Sequence, residues 1–329
     1  MSATPARIVT VFLGAGFLGY FLYLLGASNI WLDLKMIGWR LLAIVALEAL
    51  IDLTSARAWW HMFPRNRRQG CFPRIWLVQL AGSAINNSTP GAPLGGEPIK
   101  AMFMKERFEL PVTAATLLSA KLAQALGRLL FIMLGVITVA WSLKFERLPA
   151  TSLAAGFILT TAGIATFMLL QLRGVSAPAQ KIIHRLRLSQ VRLERGIRAL
   201  ERVDQSLHEL YGRRPLDFVA AVVLVLIGLS IGVVQVWLML GWLGLHRDWL
   251  SSLAIESFSV MVSFAFFVVP GSLGVQEGGK LLIFAALGLP LSAGLSLGIA
   301  FRLSSLLSMA GGFAAFISLR QRDLSSQAG

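Results

Sequence analysis

The chain has 329 residues, of which 56% are hydrophobic and only 14% charged, with a mean hydropathy of +0.71. Soluble domains carry about a quarter charged residues, so the composition excludes a soluble globular fold and indicates an all-α polytopic membrane protein. The net charge of +14 would suit nucleic acid, but the bases cluster in loops between apolar runs, as the positive-inside rule expects, and no soluble basic fold is available to bind it.

Taken in order, Ile8–Ala27 follows Arg7 and is long enough to span a bilayer. It lacks a small-residue cleavage site and is expected to be a retained crossing rather than a signal peptide. A second crossing is expected over about Met36–Leu53. The loop after it carries Arg57, Arg65, Arg67, Arg68 and Arg74 without an acid, which puts it and the N-terminus on the cytoplasmic side. Cys71, the single cysteine, excludes an internal disulfide and argues against a cysteine-based metal site.

From Ile75 to Asn86 the apolar run spans only about 18 Å as a helix, too short for a core of about 30 Å. It ends in Asn86-Asn87-Ser88-Thr89-Pro90-Gly91-Ala92-Pro93-Leu94-Gly95-Gly96-Glu97-Pro98-Ile99-Lys100. A second short run from Pro98 to Met104 leads back to Lys105 and Arg107, so the pair reads as a re-entrant hairpin. A long helix follows from Leu110 to Trp141 with Lys121 and Arg128 inside it, then a crossing over Ala150–Leu172.

The one sizeable hydrophilic region, Arg173–Arg214, has ten Lys and Arg against four acids. Its leucines recur at helical spacing, predicting a cytoplasmic amphipathic insertion packed on the base of the membrane domain or touching anionic headgroups. Asp217–Trp242 crosses outward. Leu250–Val269 then runs into Pro270-Gly271-Ser272-Leu273-Gly274-Val275-Gln276-Glu277-Gly278-Gly279-Lys280. Leu291–Leu319 ends at Arg320, leaving 321–329 as a short cytoplasmic tail. The expected whole is one domain over 1–320, with about six full crossings and two inverted re-entrant hairpins.

The two broken stretches share a pattern: Pro-Gly, five residues, Glu, two residues, Lys. Each is followed by Leu-Pro-x-Thr/Ser-Ala, at Leu110 and at Leu289, and then by a long helix with buried bases, Lys121 and Arg128 in one and Arg302 in the other. Opposite orientations by charge make this an inverted repeat, in which broken helices meet near the midplane to form a substrate site.

Non-helical backbone cannot face lipid, because each unsatisfied N–H or C=O costs several kcal/mol. The breaks at Pro90, Gly91, Gly95 and Gly96, and at Pro270, Gly271 and Gly274, are therefore expected to line a cavity. Glu97, Lys100, Glu277 and Lys280 would together cost on the order of 10 kcal/mol if unpaired, so pairing, water or substrate must offset them. One reading makes Glu97–Lys100 and Glu277–Lys280 simple i,i+3 pairs. The other makes them substrate groups, with half-helices starting near Pro98 and Gly278 aiming free N–H groups at a phosphate or carboxylate. Asn87 joins this set, although Asn86 and Asn87 also suit helix-end capping. Glu48 and Asp52 lie four apart on the second crossing, and Arg302 needs Glu256 or Glu277 as partner. The four histidines show no metal-ligand spacing, and neither a metal, a cofactor nor a catalytic constellation is read.

At Asn87 through Lys100, the helix with Lys121 and Arg128, and Pro270 through Glu277 followed by Arg302, the sequence resembles the membrane domain of the lysylphosphatidylglycerol synthase family. Within it, general likeness points to the stand-alone branch associated with hopanoid biosynthesis. The resemblance covers nearly the whole chain and implies lipid translocation across a bacterial inner membrane by Glu97, Glu277 and the buried bases. No aminoacyltransferase domain follows before Gly329, so synthesis of an aminoacyl lipid is not expected. The expected function is a lipid translocase, with Lys100, Lys121, Arg128 and Arg302 holding the headgroup and Glu97 and Glu277 gating by protonation or pairing with them. Its rivals are a membrane-embedded lipid-modifying transferase and an ion-coupled carrier of small solutes. The partners implied are a membrane lipid and anionic headgroups at the cytoplasmic face.

Overall fold

The computed structural model of the chain describes residues 31–32, 35–88, 95–142, 158, 162, 205, 214–265 and 275–328, and every regular element among them is helical. The crossing expected at 8–27, nearly all of that at 150–172 and of the insertion at 173–214, and the breaks at Pro90, Gly91, Pro270, Gly271 and Gly274 lie outside the described residues.

After a single 3-10 turn at Gly38–Arg40, helix α1 runs Leu41–Met62, nine residues beyond the expected end at Leu53. Its last turns bury Trp59 and Met62, and it stops at Phe63 in an extended conformation, as a residue preceding proline must. Helix α2, Phe72–Ser88, also outruns the expected stretch. At 17 residues it is about 26 Å long, still short of a full span. It is paired with α3, Gly96–Met104.

Helix α4, Leu110–Ser142, opens with Pro111, whose missing N–H costs nothing in a first turn. Helix α5, Pro215–Trp242, does the same with Pro215. Helices α6, Trp249–Ala265, and α7, Val275–Ala286, flank the second break. Helix α8 runs Leu291–Ala328, so residues 321–328 are helical. Among the described helices three are long and apolar enough to cross a membrane, within α4, α5 and α8. Helix α1 has the length, but Glu48, Asp52 and Arg57 lower its apolarity.

Two glycines end helices for the same reason. Gly244 and Gly288 adopt φ of +73° and +67°, a region closed to residues with a Cβ except at a cost. Leu245 N–H then bonds Leu240 C=O at 2.9 Å, and Leu289 N–H bonds Phe284 C=O at 2.9 Å. Both closures are Schellman motifs, with a leucine folded back onto the helix end.

Helix α1 packs on α5, α2 on α8, and α4 against α5 and α6, while α7 lies between α6 and α8. Among the described residues most of the apolar interior gathers in two parts. One gathers Trp59, Met62, Phe63, Phe103, Phe108 and Leu319 at the end bearing the basic 63–74 loop. The other gathers Ile37, Ile44, Leu240, Ile255, Phe284 and Leu297 at the opposite end. Along α1, Glu48 and Asp52 fall between Ile44 and Ala58, and along α5 Gly228 falls between Val225 and Val236. A polar layer therefore crosses the middle of the bundle. Outside, Leu134, Ile137, Val219, Leu306 and Ile317 are exposed, as expected where the surroundings are lipid.

Candidate functional site: a polar cavity beside the first broken helix pair

Helices α2 and α3 approach closely because their contacts are glycines. A Cβ on Gly82 would lie 2.7 Å from the Lys100 Cγ and overlap the Cε beyond it. A Cβ on Gly96 would overlap the Gly82 carbonyl oxygen. Across the break, Asn86 Oδ1 accepts a hydrogen bond from the Gly96 N–H at 2.7 Å. That satisfies one orphan donor at the start of α3, so Asn86 caps from the opposite arm of the pair. The start at Gly96 lies two residues before Pro98, and α7 starts at Val275, three before Gly278.

This register puts Glu97 in the first turn of α3, where the helix dipole favours a carboxylate. Its Oε1 takes Lys100 Nζ at 3.3 Å and Lys121 Nζ of α4 at 2.9 Å. Oε2 is buried without a partner among the described residues. The Lys100 ammonium lies 5.7 Å from the Trp59 ring centre, a cation–π distance. The i,i+3 pairing is therefore present in the first motif, with a second lysine added from the next helix.

The second motif pairs differently. Glu277 lies in the first turn of α7 and is buried, and its Oε1 accepts from Arg302 Nη2 at 2.7 Å and Nε at 3.2 Å. Lys280 makes no ion pair with Glu277 and lies 5.1 Å from the centre of the Phe301 ring. Of the two acids weighed as Arg302 partners, Glu277 takes it.

Beside the first pair lies a cavity of about 360 Å³. Lys100, Lys121 and Arg128 supply its positive wall, and Glu48 and Asp52 of α1 its negative one. Asn86, Asn87 and Gln124 add amides, and Gly228 of α5 and Ser308 of α8 complete the rim. Asp52 accepts from Ser83 at 3.1 Å and Glu48 from Gln235 at 3.3 Å. Arg128 is buried and has no hydrogen bond or ion pair among the described residues. Glu277, Lys280 and Arg302 do not line this cavity. Lys280 is nonetheless within electrostatic reach of Glu48, which does.

Reading the sequence for this site missed two clusters at the basic end. Asp217, buried in the first turn of α5, accepts from His61, Arg65 and Arg68 at 3.2, 3.0 and 3.2 Å. Arg74 joins α2 to α3 and α8 through the Phe103 carbonyl at 2.8 Å, Glu106 at 3.1 Å and Asp323 at 2.8 Å. An acid two residues after a helix-opening proline was the available signal for the first. Nothing local marks the second, because Phe103 and Glu106 lie 29 and 32 residues from Arg74 and Asp323 lies 249 away.

Among the described residues no group of His, Cys, Asp and Glu has the geometry of a metal site. No curated protein and no solved structure is significantly similar to the chain. The family described as the lysylphosphatidylglycerol synthase TM region matches residues 7–312, and the chain belongs to that family.

Proposed function

We propose that this protein moves a lipid with a polar headgroup between the leaflets of a membrane. The observation that carries the reading is the cavity: a chamber of about 360 Å³ lined by charges, set between two apolar cores, with the Arg128 guanidinium on its wall and without an ion pair among the described residues. A charge at mid-helix costs about 2.5–3.5 kcal/mol on the insertion scale. An anionic ligand group beside Arg128 and Lys121 would offset that cost. The volume suits a headgroup, and the acyl or polycyclic part would stay in the bilayer against the exposed face of α4 at Leu130, Leu134 and Ile137.

Each group then has a role. Lys121 and Arg128 attract the headgroup, Asn87 and Gln124 offer hydrogen bonds, and Glu97 with Lys100 holds the broken pair in register. Glu277 and Arg302 form the corresponding anchor of the second pair, and alternating exposure of the two inverted pairs moves the site from one side to the other. The basic 63–74 loop faces the cytoplasm of a bacterial inner membrane, where anionic lipids attract it. The chain acts as a carrier rather than a synthase.

Reconstitution into vesicles with fluorescent phosphatidylglycerol in one arm and a labelled hopanoid in the other tests this. Translocation in at least one arm is expected, and Arg128→Ala should slow it by roughly tenfold, the loss of one charge-assisted contact. No translocation above empty vesicles in either arm overturns the proposal.

A further inference from the structure

The mid-bundle acids are not all matched. Glu97 has two lysines and Glu277 has Arg302, which leaves Asp52, Glu48 and Glu256. Glu256, on α6, makes no ion pair or hydrogen bond among the described residues. Its carboxylate rests on Gly232 of α5, where a Cβ would lie 2.7 Å from Oε1. Glycine there admits the acid between the helices.

The groups around these acids come from every packed element. Glu256 faces Lys280 of α7 and Glu48 of α1. The nearest part of α4 offers Gly135 against Ser257, which carries no charge. Glu48 faces Glu256, Lys280 and the Gln235 amide of α5. Asp52 faces Glu48, Lys100 and the Ser83 hydroxyl of α2. Across the cavity stand Lys121 and Arg128 of α4, and the Arg302 of α8 is engaged by Glu277. Glu48 and Glu256 therefore share one ammonium, Lys280, that has no ion pair of its own among the described residues, while Asp52 lies beside Lys100, which Glu97 already engages. Isolated buried carboxylates are too costly to keep ionised in a low-dielectric interior, and proton uptake relieves that cost.

We infer that the series Asp52–Glu48–Glu256 with Lys280 is a proton-carrying site that couples proton movement to headgroup movement through the cavity. The inference rests on the translocase reading and names its coupling ion. An anionic headgroup entering beside Glu48 and Asp52 adds like charge next to them, and a carboxylate oxygen takes a proton from a hydronium ion of the accessible aqueous side, whose O–H bond breaks to leave water as the carboxyl O–H bond forms. When the headgroup leaves, that bond breaks and the proton returns to water on the side then exposed. Lys280 and Glu256 extend the series toward the second broken pair. By linkage, proton binding and headgroup binding must strengthen each other equally.

The full chain in phosphatidylcholine vesicles, with trace fluorescent phosphatidylglycerol and an internal pH dye, supplies the transport test. Acidifying the donor side should speed translocation by roughly tenfold, within the range of ordinary coupling energies, with internal acidification in step. Glu48→Gln and Glu256→Gln should lose both the gradient dependence and the proton flux. Infrared difference spectra across a pH titration supply a readout that needs no transport. A protonated-carboxyl C=O band should be present in the wild type, diminished in Glu48→Gln and Glu256→Gln, and retained in Glu256→Asp. Gradient-independent translocation without proton flux overturns the coupling and leaves the translocase reading standing. Absence of translocation for every lipid overturns that reading instead, and a carboxyl band unchanged in both glutamine variants removes the proton site whatever the transport result.

Discussion

The two broken helix pairs begin from one motif and end in different electrostatic arrangements. In the first, Glu97 takes Lys100 within its own helix and Lys121 from the next, and the pair is clasped by Gly82, Gly96 and Asn86. In the second, Glu277 takes Arg302 from the next helix, and Lys280 has no ion pair among the described residues. A guanidinium presents two N–H groups to one carboxylate oxygen and satisfies it alone. The single-point ammonium of Lys121 leaves room for a second cation. The choice of base on the following helix thus decides whether the motif lysine is engaged or free, and a free Lys280 is what places a positive charge next to Glu48 and Glu256.

The largest effect that would break this comparison lies at the acids. Glu97→Gln strands two ammoniums, one of them fully inside the protein, and should cost about 3–5 kcal/mol, the usual penalty for half of a buried pair. Lys280→Met keeps its length but removes the positive charge beside Glu256 and Glu48; because it breaks no direct ion pair among the described residues, it should cost less than Glu97→Gln. Thermal unfolding in detergent gives both values, and equal losses would remove the distinction between the lysines.

Next comes the backbone. Gly96→Ala must push α3 off the Gly82 carbonyl and should cost about 1–3 kcal/mol, as overpacking does. Gly298→Ala on α8, facing α7 of the second pair, meets Glu277 Cγ at 3.4 Å and Lys280 Cδ at 3.6 Å, ordinary contact, and should be nearly neutral. Proteolysis of the 89–94 segment, faster only in Gly96→Ala, would sharpen the contrast. Asn86→Ala should cost about 1 kcal/mol, the worth of a helix cap, and should raise hydrogen exchange at Gly96 rather than at the start of α7.

The smallest effect lies outside both pairs. Asp248 caps α6 through the Ser251 and Leu250 N–H groups and the Ser251 hydroxyl. Burial alone would raise its carboxyl, but these hydrogen bonds and nearby His246 hold it below the ordinary aspartate value. A folded-state pKa lowered in this way contributes stability above the unfolded pKa and loses it as pH falls through the folded one. Asp248→Ala should therefore lower the unfolding temperature slightly at neutral pH and not at all in strong acid.

The membrane class, the two interruptions and the acids and bases beside them are legible in the sequence, because charge, proline and glycine are costly in a bilayer and stand out wherever they occur. Helix ends were less legible. Helix α1 continues through Met62 since Trp59 and Met62 have a core to enter, and α8 continues past Arg320 to carry Asp323 to Arg74. Such extensions depend on partners far along the chain.

Spacing rules see only three or four residues along one helix, and so they offered Lys280 to Glu277 and Lys100 to Glu97 alike. Folding brought Arg302 and Lys121 into competition for the same oxygens and gave different answers in the two places. It also turned Glu48 and Asp52 toward a cavity shared with Lys121 and Arg128, and set the Glu256 carboxylate against Gly232. Sequence alone determined that buried charges exist and must be offset. Only the tertiary structure decided which charge offsets which, because the pairing energy falls with a distance that no single helix contains.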